Sequence, residues 1–195
     1  MLEWTRIERI FTDVIAIRPV YTDTGKATEV MTKSGEIWWD KRDVRSVKRA
    51  LFRCCLMDPE AQRTLVKELL GRELALPFFL APDRVFIPLK MRQPQVESDA
   101  AYGYVDLSHI ASIEPTPENR CRLTLKNGLA IELLCTHDTA IKSKEAGLKL
   151  SESLQEKTEP NRELETLVLS SAAGLIHLML EMRQALQAIA RKLGA

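Results

Sequence analysis

The run from Lys41 to Arg53, KRDVRSVKRALFR, sets six lysines or arginines against a single acid, Asp43. On a helix, Arg42, Arg45 and Arg49 fall at i, i+3 and i+7, opposite Val44, Val47 and Leu51. That is the pattern of a helix docked by one face with cations on the other. Phosphate contact is the chemistry such cations suit, since Lys and Arg position a nucleic acid and release its counterions. Lys41, Arg42, Arg45, Lys48 and Arg49 are therefore candidate DNA contacts, joined by Lys142 and Lys144 beyond a later hairpin. The same charges also read as an ordinary solvated helix face.

Other chemistries find little footing. His109, His137 and His177 lie on separate segments without a Cys, Asp or Glu at ligand spacing, so no metal is expected. Thr136-His137-Asp138 lacks the strand–elbow context of a nucleophile, and Asp138 serves better as a helix cap. No Walker-type phosphate loop is present. The chain reads as a non-enzyme with no cofactor.

The elements that carry the cations follow from local signals. Asp13 to Arg18 is β-branched and is expected to be a strand ending at Pro19, after which a polar run containing Gly25 loops to Thr28. Leu2 to Phe11 could form a short helix before it. Glu29–Lys33 and Glu36–Trp39 flank Ser34-Gly35 as a hairpin, and Asp43 caps the helix bearing the cations. In the Trp38-Trp39 pair, one ring should face the core and the other outward. Asp58-Pro59 breaks the first helix, and Glu60 to Leu70 reads as a second short helix ending at Gly71. Pro77, Pro82 and Pro88 confine the next stretch to short or edge strands, and Gln93–Ala100 reads as a polar seam. Tyr104–Leu107 and Ile110–Glu114 are strands, then Arg122–Lys126 and Ala130–Cys135 pair across Asn127-Gly128. Asp138 is expected to cap a helix from Thr139 to Ser151.

Two stretches repeat. TDVIAIRP (Thr12–Pro19) matches SHIASIEP (Ser108–Pro115), and KSGEIWW (Lys33–Trp39) matches KNGLAIE (Lys126–Glu132), each followed by a capped helix. The expected fold is α+β, with two duplicated strand-hairpin-helix units forming small antiparallel sheets and a long C-terminal amphipathic helix. The units span 1–58 and 101–151, with a proline-rich connection over 59–100 and the terminal helix within 160–195. In that helix Leu164, Val168, Ser171, Leu175, Leu178, Met182 and Ala185 alternate steps of four and three, a heptad seam. Homo-oligomerisation through it is the favoured expectation, against a helix lying across its own sheets.

Composition bounds these readings. A chain of 195 residues with 45% hydrophobic content builds a real core, and a net charge of +1 leaves any charged partner to a local patch. Cys54, Cys55, Cys121 and Cys135 lack metal or redox spacing and read as free thiols. No signal sequence or membrane span is expected, and a cytoplasmic location follows.

From about Val14 to Leu148 the order of parts resembles the ComK competence transcription factors of Gram-positive bacteria. The resemblance rests on KRALFRCCLMDPEAQR, then ALPFFLAPDRVFIPLKMRQP, then GYVDLSHIASIE coupled to RLTLKNGLAIEL. The second unit alone is similar to LytTR-type DNA-binding domains. The resemblance implies an oligomeric transcriptional regulator that favours A/T-rich sites. The chain departs from the family at Leu56-Met57-Asp58-Pro59-Glu60, where a glycine-serine turn is usual, and the candidate contacts rest on charge alone. The alternative is a non-enzymatic pleckstrin-like interaction module that binds a protein or a lipid headgroup.

Overall fold

Tight turns and prolines lay out the chain, which the computed structural model describes over residues 3–156 and at Met179. The heptad helix expected within 160–195 lies outside the described residues, apart from Met179. A short 3-10 helix, Ile7–Arg9, precedes β1 (Val14–Thr22), β2 (Gly25–Thr32), β3 (Ile37–Asp40) and α1 (Val44–Cys54). Then come α2 (Pro59–Leu70), β4 (Phe78–Ala81), β5 (Arg84–Lys90) and β6 (Tyr102–Asp106). A second 3-10 turn, Leu107–His109, leads to β7 (Ile110–Thr116), β8 (Arg120–Leu125) and β9 (Ala130–Leu133). A helix over 137–156, α3, follows.

The result is a mixed α+β fold with two antiparallel sheets. One has six strands in the order β3-β2-β1-β6-β5-β4, and the other has three, β7-β8-β9. The first expected unit therefore does not form a sheet of its own. Ala16 and Ile17 of β1 pair with Val105 and Tyr104 of β6, so β1–β3 and β4–β6 make one surface. Segment 59–100 supplies two of its strands, and Gln93–Ala100 is the connection between the paired strands β5 and β6.

Three local expectations change. β1 runs through Pro19 to Thr22 and turns at once into β2, with Thr22 opposite Gly25. A two-residue hairpin at Asp23-Thr24 replaces the expected loop. Proline is tolerated because β6 pairs with β1 only at Ala16 and Ile17, which leaves Pro19 on a free edge. Pro115 lies likewise on β7, the outer strand of its sheet. Finally, Thr136 and not Asp138 caps α3, its Oγ1 accepting the Thr139 amide at 3.3 Å. Asp138 sits inside the first turn and pairs with Lys142.

The two meander–helix units coincide in detail. The register slips between Val14 and Ala16 in one and between Ile110 and Ser112 in the other. Lys33 N donates to Asp13 O at 2.9 Å, and Lys126 N donates to His109 O at 2.9 Å. Gly35 and Gly128 both adopt positive φ, +90° and +87°, which a tight hairpin requires and a Cβ opposes.

Two cores lie on opposite faces of the six-stranded sheet. Ile15, Ile87 and Val105 pack against Leu123, Leu125 and Ile131 of the small sheet and Ala140 of α3. Ile17, Val30 and Phe86 pack against Val47, Leu51 and Phe52 of α1. The alternation of Phe86 and Ile87 along β5 assigns each helix its side. Four small or apolar residues of α3, Ala140, Ser143, Gly147 and Leu150, are buried at steps of three, four and three. Ser143 Oγ donates to Pro88 O at 2.7 Å.

A Cβ on Gly147 would lie 2.3 Å from Ile87 Cγ2. Gly147→Ala therefore destabilises the fold by about 1–2 kcal/mol, because overpacking outweighs the ~1 kcal/mol gained in helix propensity. Urea denaturation of the variant checks this.

Candidate nucleic-acid interface

The cations of Lys41–Arg53 are sorted by where α1 begins. Asp43 stands at its N-cap, φ −66° and ψ 160°, and Oδ1 accepts the Ser46 amide at 2.7 Å. Burial raises the Asp43 pKa, but hydrogen bonding from Ser46 and the charges of Arg45 and Arg49 leave it below the ordinary value. Val44, Val47, Ala50, Leu51 and Phe52 are buried, so the opposite face points away from this core.

Arg42 precedes the helix and is consumed by structure. Its guanidinium donates to both oxygens of Glu8 at 2.7 Å and to Asp40 at 2.6 and 2.9 Å. Asp40 is buried and also accepts the Ile7 and Arg42 amides, each at 3.0 Å. Burial pushes the Asp40 carboxyl up, and the Arg42 and Ile7 hydrogen bonds overcome this and hold it below its usual range. Hydrogen bonding from Arg42 lowers Glu8 to about 2, and the same pair of carboxylates raises Arg42. Arg42 thus pins the N-terminal segment to the end of β3.

Arg45, Arg49 and Arg53 are exposed along the outer face of α1. Among the described residues, none of the three lies within ion-pair distance of a carboxylate. Lys41 stands over the Trp4 ring, 5.5 Å from its centroid. Trp4 in turn meets Trp39 edge-on at 6.2 Å, and Trp38 packs against the core beneath α1. Neither ring of the Trp38-Trp39 pair is fully exposed.

Lys142 and Lys144 are not brought to this surface. They ride on α3, across the six-stranded sheet from α1, and Lys142 is already paired with Asp138 at 2.8 Å. The candidate set thus divides into a usable helix face, a structural arginine and a remote pair. Arg53, one turn beyond Arg49, was legible in the sequence as a continuation of the same stripe.

Lys48 takes a different place, recessed in a groove of about 740 Å³ among α1, α2 and the β4–β6 face. Its Nζ lies 4.5 Å from the Phe78 centroid and 4.4 Å from that of Tyr104, with Phe52 at 5.7 Å. It donates to the Tyr104 hydroxyl at 3.4 Å. Burial, aided by the nearby Arg63 charge, pushes the Lys48 ammonium down to about 8. α2 is held over the edge of the sheet by Gln62, whose side chain accepts the Phe79 amide and donates to its carbonyl.

Because the folded chain gives up the Lys48 proton before the unfolded chain does, stability rises as pH climbs from about 8 toward 10.5. The full cost of the buried charge is present below that window. Linkage puts it at roughly 3 kcal/mol, of which the ring faces return about 1–2 kcal/mol. Lys48→Met is expected to stabilise the fold by about 1–2 kcal/mol at neutral pH, a gain that fades by pH 10. Denaturation across pH measures it.

At the second 3-10 turn, Ser108 Oγ donates to Asp106 Oδ1 at 2.8 Å and lies 2.9 Å from His109 Nδ1. His109 stands 3.5 Å from Asp106, while His137 meets the Ile113 carbonyl at 3.2 Å. Among the described residues, no group of three or more His, Cys, Asp or Glu is placed to hold a metal ion. All four cysteines are free. Burial pushes the Cys121 thiol up to about 12, far from a thiolate nucleophile. Among the described residues, no helix is long and apolar enough to cross a membrane. Compared with known proteins, the chain matches no family model, no curated protein and no solved structure.

Proposed function

We propose that this chain is a non-enzymatic DNA-binding protein, a transcriptional regulator of ComK-like type, whose contact surface is the outer face of α1. The observation that carries the reading is the exposed stripe Arg45-Arg49-Arg53, without a carboxylate partner among the described residues, on a helix whose other face is docked. The stripe rises roughly 12 Å, enough to span about three phosphates of one strand. Lys41 extends it at one end. The resemblance adds a preference for A/T-rich sites and action as an oligomer, which the heptad pattern of 160–195 would supply. Shared bulge position, hairpin bonds and cap position support reading the two meander–helix units as copies of one ancestral element.

Electrophoretic shift with A/T-rich and G/C-rich duplexes of equal length tests the reading. Tighter binding to the A/T-rich duplex is expected, and equal affinity for both removes the ComK-like part. A second reading, the pleckstrin-like interaction module, draws on the packing of β1, β5 and β6 against the β7–β9 sheet and the helix that follows it. Binding to anionic vesicles without any DNA shift would put it first.

A further inference from the structure

The groove that contains Lys48 has a charge imbalance that the fold leaves uncompensated. Lys48, Arg45 and Arg49 enter it from α1 and Arg63 from α2. Three carboxylates also border it, and two of them are engaged elsewhere. Glu73 pairs with Lys67, and Asp99 pairs with Lys26 and the Tyr21 hydroxyl. Among the described residues, Glu60 alone remains against four cations. Lys48 is the deepest of these, and three ring faces and one hydroxyl are its partners, with no carboxylate within ion-pair distance among the described residues. A recessed cation without a counter-ion gains most from an anion delivered to it.

Apart from Gln62 and two tyrosine hydroxyls, the rest of the lining is apolar. Pro77 and Pro88 contribute ring surfaces, and Tyr102 is 42% exposed at the mouth beside Leu74, 80% exposed. A volume of about 740 Å³ is that of a small-molecule site and is too small for a duplex.

We propose that this groove binds a small organic anion of the aryl or nucleoside monophosphate class. Lys48, with Arg45, Arg49 and Arg63, holds the phosphate, and the planar body lies against Pro77, Pro88 and Tyr102. The site shares Arg45 and Arg49 with the proposed DNA surface and differs from it in Lys48 and Arg63, while Arg53 does not line the groove. The anion is bound best while Lys48 is protonated, so binding weakens as pH rises through about 8. Tyr104, whose hydroxyl burial pushes up, keeps its proton over that range.

The test is titration of the full chain with phenyl phosphate, with inorganic phosphate and phenol as separate probes, followed by NMR or calorimetry. Phenyl phosphate is expected to saturate at least about tenfold more tightly than either fragment, because both parts of the groove contribute. Its affinity falls roughly five- to tenfold between pH 7 and pH 9 as Lys48 loses its proton. Lys48→Met loses about tenfold, the exposed Arg63→Gln about threefold, and Lys142→Gln nothing. The proposal is overturned if no saturable binding occurs, or if inorganic phosphate binds as tightly as phenyl phosphate. Identical affinity at pH 7 and pH 9, or in Lys48→Met, overturns it as well. Arg53→Gln separates the two surfaces: it weakens duplex binding and leaves phenyl phosphate affinity unchanged.

Discussion

Replacing Arg45, Arg49 and Arg53 together with glutamine lowers affinity for duplex DNA by roughly 100-fold near physiological salt, and flattens the salt dependence by about three phosphate contacts. Each guanidinium lost removes one counterion-release contribution, and the three are far enough apart along α1 to act nearly independently. All three are exposed and touch no carboxylate among the described residues, so the fold should not register the change. Stability within about 0.5 kcal/mol per substitution, read by thermal melting, separates loss of contact from loss of structure. Lys142→Gln and Lys144→Gln serve as controls from across the sheet, and little change is expected.

Arg42→Ala has the largest expected effect on stability, a loss of about 3–4 kcal/mol, because it strands the buried Asp40 carboxylate. It also frees Glu8 and with it the N-terminal segment that β3 holds through the Thr5 amide and Trp39 carbonyl at 2.9 Å. The pH dependence has a definite sign. Asp40 and Glu8 both titrate lower in the folded chain than in the unfolded one. Their contribution is therefore complete above the ordinary carboxylate range and is lost as pH falls from about 4.5 toward 2. In Arg42→Ala this acid-limb slope should be much shallower. Denaturant melts at several pH values show it, and an unchanged slope would mean the pair does not hold the N-terminus.

Local chemistry made much of this fold legible. Ser34-Gly35 and Asn127-Gly128 turn where their φ requirements place them, Asp43 caps α1, and Asp58-Pro59 and Gly71 bound α2. What stayed hidden depends on long-range partners. Pro19 ended the strand on local grounds, yet the residue lies where β1 has no second neighbour, a fact set by β6 more than eighty residues later. Thr136 beat Asp138 as the cap because β9 ends at Leu133, and the helix starts two residues ahead of the expectation.

The candidate site shows the same division. Arg45 and Arg49 were identifiable from spacing alone. Arg42 looked like a third member of the stripe, but Glu8, 34 residues earlier, claims it. Lys48 looked like another surface cation, whereas Phe78 and Tyr104 come from β4 and β6 to enclose it. No local pattern carries that information.

The central claim is that the α1 face binds DNA through phosphates. Shift titration of the full chain on an A/T-rich duplex at several salt concentrations tests it most directly. A linear fall of log K with log salt, with a slope of about −3 or steeper, is the predicted result. Absence of any shift at low salt, or an affinity indifferent to salt, would contradict it.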